Sequence, residues 1–177
     1  MTYEIFAQAI GFIALIVGAC SYQFKEQKTL FFIWIVADTI WVIHYIMIAA
    51  ITPAIAVSIA ALRTLSVIFI FPKAKKQILI FSFFCTVFLC ALASGGKVVS
   101  YLPILSGAFY CLATYYHENY ILSRTFMGIG KITWLIIGIV FVSYAEITAS
   151  ILGLTSLIIG AYRHKFLQVK KQTQTGL

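Results

Sequence analysis

Residues 29–48, TLFFIWIVADTIWVIHYIMI, decide the fold. The stretch has no Gly and no Pro, one carboxylate (Asp38) and one histidine (His44). Twenty residues of α-helix reach about 30 Å, the thickness of a bilayer's hydrocarbon core. Its apolar positions are continuous and do not alternate, which favours a helix over a barrel strand. The stretch therefore reads as a helix that crosses a membrane.

The same pattern repeats on both sides of it. Apolar runs cover 5–22, 54–71, 77–94, 98–115, 122–143 and 147–163, making seven with the first. The separators are short and polar, or carry Gly or Pro, such as Thr52-Pro53, Gly95-Gly96-Lys97 and the loop at His117–Asn119. Composition agrees: 177 residues are 62% hydrophobic and 10% charged, whereas soluble chains run near ~25% charged. Seven crossings leave no room for a soluble catalytic module or a nucleotide-binding domain. The fold class is all-α, a polytopic membrane protein of seven transmembrane helices.

The net charge of +8 does not point to nucleic acid, because the basic residues sit in short runs between apolar segments. That placement marks topology and contact with lipid headgroups. With seven crossings, Lys25, Lys28, Lys73, Lys75, Lys76, Arg124, Arg163, Lys165, Lys170 and Lys171 share one side, against Lys97 on the other. The positive-inside rule then places the N-terminus outside and the C-terminus in the cytoplasm. Met1–Gln8 lacks a basic region and no small-residue cleavage site follows, so the first segment is expected to stay in the mature protein. The tail, 165–177, reads as a mobile, basic cytoplasmic end.

Catalytic patterns are missing. Cys20, Cys85, Cys90 and Cys111 all lie in apolar runs without a CxxC pair, so neither a metal nor a cofactor is expected. No HExxH, Ser/His/Asp spacing or Gly-rich phosphate loop occurs, so the chain does not read as an enzyme. Lys131 does not lie in the last helix, which argues against a retinal Schiff base.

Spacing suggests an internal repeat in a 3+1+3 parallel arrangement. Residues 1–72 form a first three-helix bundle, 73–96 a linker helix, and 97–164 a second bundle. An offset of 93 residues pairs Trp41 with Trp134, Ile43 and Ile46 with Ile136 and Ile139, and Asp38 with Lys131. Parallel repeats of this kind usually hold a substrate site between them at mid-membrane.

The first half, IGFIALIVGACSYQFKEQKTL followed by the Trp41 and Pro53 region, resembles the SemiSWEET pattern of the SWEET and PQ-loop transporters. Gln23 matches the Gln of the Pro-Gln pair, Trp41 and Tyr45 lie near its aromatic positions, and Pro53 matches its Pro. Ser58 and Ser150 fall within one residue of its Asn positions. The chain departs from the pattern where Tyr22 replaces the Pro and Tyr115-Tyr116 replaces the second pair. A proline-driven hinge therefore does not carry over, and neither do the Asn residues. The whole chain also looks like the YgjV-like bacterial inner-membrane proteins, a family with no assigned activity, which implies an inner-membrane location.

The charges inside the apolar runs carry the most information, since each costs at least about 2.5–3.5 kcal/mol at bilayer depth. Trp34, Asp38, Trp41 and Tyr45 share a stripe roughly 60° wide on one helix, as do Met127, Lys131, Trp134 and Gly138 on another. Asp38 and Lys131 are expected to face one central space, either as a gate or solute contact or as a fixed ion pair. Trp41 and Trp134 either stack on the solute or pack. Arg63 needs an anion, either Asp38 or a bound ligand. Counting Asp38, Arg63 and Lys131 gives a formal +1, which fits an anionic solute. His44 is a proton-coupling candidate or an interhelical hydrogen-bond partner. Ser58 and Ser150 line the path or pack, and Gly11, Ala14 and Gly18 allow close helix approach. Glu4 and Glu146 flank the membrane and are expected to be hydrated, as are His117, Glu118 and His164.

The expected function is transport or facilitated passage of a small solute, sugar-like or an anionic metabolite, through a site lined by these residues. Membrane lipid and that solute are the expected partners. The competing class is a non-transporting scaffold or regulator of another protein.

Overall fold

The computed structural model describes residues 2–21, 26–116 and 119–175, with 163–175 by backbone alone. Tyr22, Gln23, Lys25, His117 and Glu118 lie outside the described residues, as do the side chains of Arg163, His164, Lys165, Lys170 and Lys171. Seven helices carry the chain: α1 (Thr2–Ser21), α2 (Gln27–Met47), α3 (Ile51–Leu65), α4 (Lys75–Ala93), α5 (Leu102–Tyr115), α6 (Tyr120–Val140) and α7 (Tyr144–Thr175). A π turn, Ser66–Ile70, extends α3, and short 3-10 turns precede α4 and α5. No strand occurs among the described residues. Among the described residues seven segments are long and apolar enough to span a bilayer, the third taking in the π turn after α3 and the fifth the 3-10 turn before α5.

Local chemistry sets the ends. Asn119 caps α6, its side-chain oxygen accepting from Leu122 N–H at 3.1 Å. Gly95 and Gly96 turn the chain after α4 at φ of 55° and 79°, a region that costs a residue with a Cβ. Several boundaries differ from the sequence expectation: α1 and α3 start three residues early, at Thr2 and Ile51, so Thr52-Pro53 lies inside α3 and not in a separator. α7 starts at Tyr144, three residues early, and it runs on to Thr175 through the stretch expected to be a mobile tail. No Gly or Pro interrupts 161–175, and Lys and Gln favour helix there.

The turns that follow α2 and α6 are duplicates. Ala49 and Val142 both take left-handed backbone conformations, at φ of 56° and 52°. Four backbone hydrogen bonds recur with the same 93-residue shift. Ile48, Ala49, Ala50 and Ala54 N–H donate to the carbonyls of His44, Ile46, Tyr45 and Ala50. Phe141, Val142, Ser143 and Ile147 N–H donate to those of Ile137, Ile139, Gly138 and Ser143.

Each helix packs on the next, and α7 returns to α1. α3 also touches α5, which leaves α4 on the outside of that pair. The same shift carries α3 onto α7 and α1 onto α5, so the α3–α5 and α7–α1 contacts exchange. Small residues line the interior, among them Ala7, Ala14, Ala37, Ala50 and Ala54. The closest approach is at Gly11, where a Cβ would stand 2.7 Å from Ala145 Cβ and 2.9 Å from the His44 ring. Phe81, Phe84, Phe88 and Leu92 of α4 point outward in a helical stripe, a surface suited to hydrocarbon and not to water.

Candidate functional site

The stripes of α2 and α6 meet. The Tyr45 ring lies between two indoles, with centroids 5.7 Å from both Trp41 and Trp134 and interplanar angles of 25° and 28°. Trp41 and Tyr45 share a stripe on α2, and Trp134 comes from α6, so the stack joins these two helices. Tyr45 is 1% exposed and packs with Ala50, Ala54 and Val57. The indole faces expected to meet a solute are turned to Tyr45 in this conformation. Trp34 stands apart, edge-on to Phe31 at 5.7 Å.

The Tyr45 hydroxyl donates to Glu146 Oε2 at 2.8 Å, and Ser150 donates to Oε1 at 2.8 Å. Lys131 Nζ lies 3.8 Å from that same Oε1. Glu146 is 5% exposed, which corrects its expected place as a hydrated flanking residue. The cause is the early start of α7. Ser143 accepts from Glu146 N–H at 3.2 Å, so Glu146 occupies the first helical turn and faces inward. A carboxylate is favoured there by the positive end of the helix dipole. Lys131 thus has an ion-pair partner in Glu146.

His44 Nδ1 lies 2.8 Å from the Ala7 carbonyl, and Nε2 lies 2.7 Å from Ser143 Oγ. A carbonyl can only accept, so Nδ1 carries the proton. A neutral ring then accepts the Ser143 hydroxyl at Nε2, and each group is satisfied. His44 ties α1, α2 and the start of α7 together, the arrangement of an interhelical hydrogen-bond partner. Gln8 adds to that junction, donating to Val142 O at 2.8 Å and accepting from Tyr144 N–H at 3.0 Å.

One layer deeper lie Asp38 and Arg63. They come from α2 and α3, which pack against each other. Arg63 Nη1 donates to Cys111 Sγ at 3.3 Å, and that thiol points at Leu79 O, 3.9 Å away. Among the described residues no ion pair within 4.0 Å joins Asp38 to Arg63. With Glu146 buried, the interior holds two carboxylates and two cations. The formal +1 counted from the sequence therefore becomes zero.

Ser150 joins this cluster, whereas Ser58 does not. Ser58 donates to its own helix at Ala54 O, 2.8 Å away. It borders a cavity of about 310 Å³ between α2 and α3, lined also by Ile35, Thr39, Val42, Ala61 and Leu62, with no charged residue.

The sequence reading does not place Glu146, Ser143 or Cys111 among the site residues. For the first two a signal is present: Ser143-Tyr144-Ala145-Glu146 has the S-x-x-E spacing of a helix capping box.

Residues 5–168 match the profile of one protein family, Imp-YgjV, described as bacterial inner membrane protein. No curated protein and no solved structure matches the chain.

Proposed function

The chain belongs to this family of bacterial inner membrane proteins, and from that premise we propose that it passes a small solute across the membrane between two like-oriented three-helix halves. The observation that carries the reading is the duplicated helix ending at Ala49 and Val142. It supports relating α1–α3 to α5–α7, a relation under which Asp38 and Lys131 hold equivalent mid-helix positions. Two halves related in this way, with α4 outside them, form the arrangement in which rocking of one half on the other exposes a midline site alternately.

In this reading the face carrying the duplicated turns is closed. The Trp41–Tyr45–Trp134 stack and the Glu146 cluster seal it. The basic separators put that face outside, so the described conformation is closed to the exterior. Asp38 and Arg63 sit below the seal and are the solute contacts.

A second reading draws on the same stack. A permanently sealed, ion-paired centre suits a membrane scaffold. Reconstitution decides between them. Proteoliposomes loaded with panels of radiolabelled neutral, anionic and zwitterionic solutes should exchange at least one class, and Asp38→Asn should abolish that exchange without unfolding the protein. No exchange of any class would favour the scaffold.

A further inference from the structure

Asp38 and Arg63 stand at matching depth. Asp38 lies ten residues before the cap at Ile48 and Arg63 twelve after the start of α3 at Ile51, so both are about 15–18 Å below the duplicated turns at 1.5 Å per residue. They are opposite charges on α2 and α3, helices packed against each other. They nevertheless remain more than an ion-pair distance apart, and the guanidinium donates to the Cys111 thiol, a weak acceptor. A pair retained for structure alone gains by closing, because attraction between unlike charges rises as they approach in a poorly solvated interior. Lys131 Nζ lies within ion-pair distance of Glu146, 3.8 Å away.

Charge balance narrows the class of molecule that can bridge Asp38 and Arg63. Asp38 and Glu146 offset Arg63 and Lys131, so a net anion or a net cation would bring uncompensated charge to bilayer depth. A zwitterion brings none, and each of its poles finds an opposite partner. We propose that the solute is a small zwitterion of the amino-acid class, its carboxylate held by the planar fork of Arg63 and its ammonium by Asp38. This rests on the transport reading and adds the substrate class to it.

The test uses the full chain in detergent, with each of the twenty standard amino acids as a probe. At least one should raise the thermal midpoint by about 3 °C or more. The amine lacking its carboxylate and the acid lacking its ammonium should each bind about tenfold more weakly or worse. Asp38→Asn should lose the amino acid while keeping the weak response to the acid, and Arg63→Gln should keep only that to the amine. If no amino acid shifts the midpoint, or if the amine or acid binds equally well, the zwitterion is overturned, whether or not either variant folds. Uptake separates this from the wider reading. Proteoliposomes that take up glucose or succinate but no amino acid overturn the zwitterion and leave transport standing, while uptake of none of the three overturns both.

Discussion

Lys131 lies 3.8 Å from Glu146 and gives that carboxylate an ion-pair partner beside the donating hydroxyls of Tyr45 and Ser150. The three come from α6, α2 and α7, so a single carboxylate ties three helices together. Its repeat counterpart is Pro53, which carries no charge. The turns after α2 and α6 share a backbone pattern, but the helices that follow them start with different chemistry.

Removing either member of this pair should destabilise the protein unequally. Lys131→Met leaves a buried anion with two hydroxyl donors and should cost about 3 kcal/mol. Glu146→Gln should cost less, since an amide oxygen still accepts and the half-buried Lys131 keeps access to solvent. The double variant should recover part of the Lys131→Met loss. Unfolding by denaturant titration in detergent gives the coupling, and purely additive losses would show that the two residues do not interact.

Tyr45→Phe isolates the hydroxyl from the ring. The stack with Trp41 and Trp134 keeps its shape, while Glu146 loses a donor inside a dry site. A loss of about 1–3 kcal/mol is expected, with the near-ultraviolet circular dichroism of the tryptophans unchanged. A change in that spectrum would show that the hydroxyl also positions the ring.

The sequence made the crossings legible because continuous apolar runs and short polar breaks have one solution in a bilayer. Its 93-residue offset also holds, residue for residue, in the turns ending α2 and α6. The centre was harder to read. Trp41 and Trp134 are equivalent, but the ring between them, Tyr45, has Gly138 as its counterpart. That glycine lets α7 approach, since a Cβ there would meet Ile147 N at 3.1 Å and Glu146 Cβ at 3.4 Å. An apolar run begun at Ile147 leaves Glu146 outside the helix, while the capping spacing from Ser143 brings it in. The capping pattern was the better guide, because hydrogen bonds, not hydropathy, set a helix's first turn.

Gly11 tests the α1–α2–α7 junction. Gly11→Ala would push a methyl group against both Ala145 and the His44 ring, neither of which can swing away. The expected loss is about 1–3 kcal/mol, with the bonds from His44 to Ala7 and Ser143 strained. Proteolysis at the start of α7 should quicken in this variant. A thermal midpoint equal to that of the parent would mean that the junction is looser than the described packing.

The duplicated turns predict a gain of stability at two places remote from each other in sequence. Ala49 and Val142 hold left-handed conformations that cost a residue with a Cβ about 1–2 kcal/mol, and a β-branched side chain more. Glycine removes that cost but leaves a more flexible unfolded chain, which takes back about 0.4–1 kcal/mol. The net gain should be a few tenths of a kcal/mol for Ala49→Gly and about 1 kcal/mol for Val142→Gly. Val142 is 56% exposed, so little packing is lost with its side chain. The two effects should add, because the sites sit in separate turns. Denaturant midpoints of the two single variants and their double measure this directly. If both glycines destabilise, the left-handed turns are not the native endings of α2 and α6, and the structural basis of the repeat goes with them.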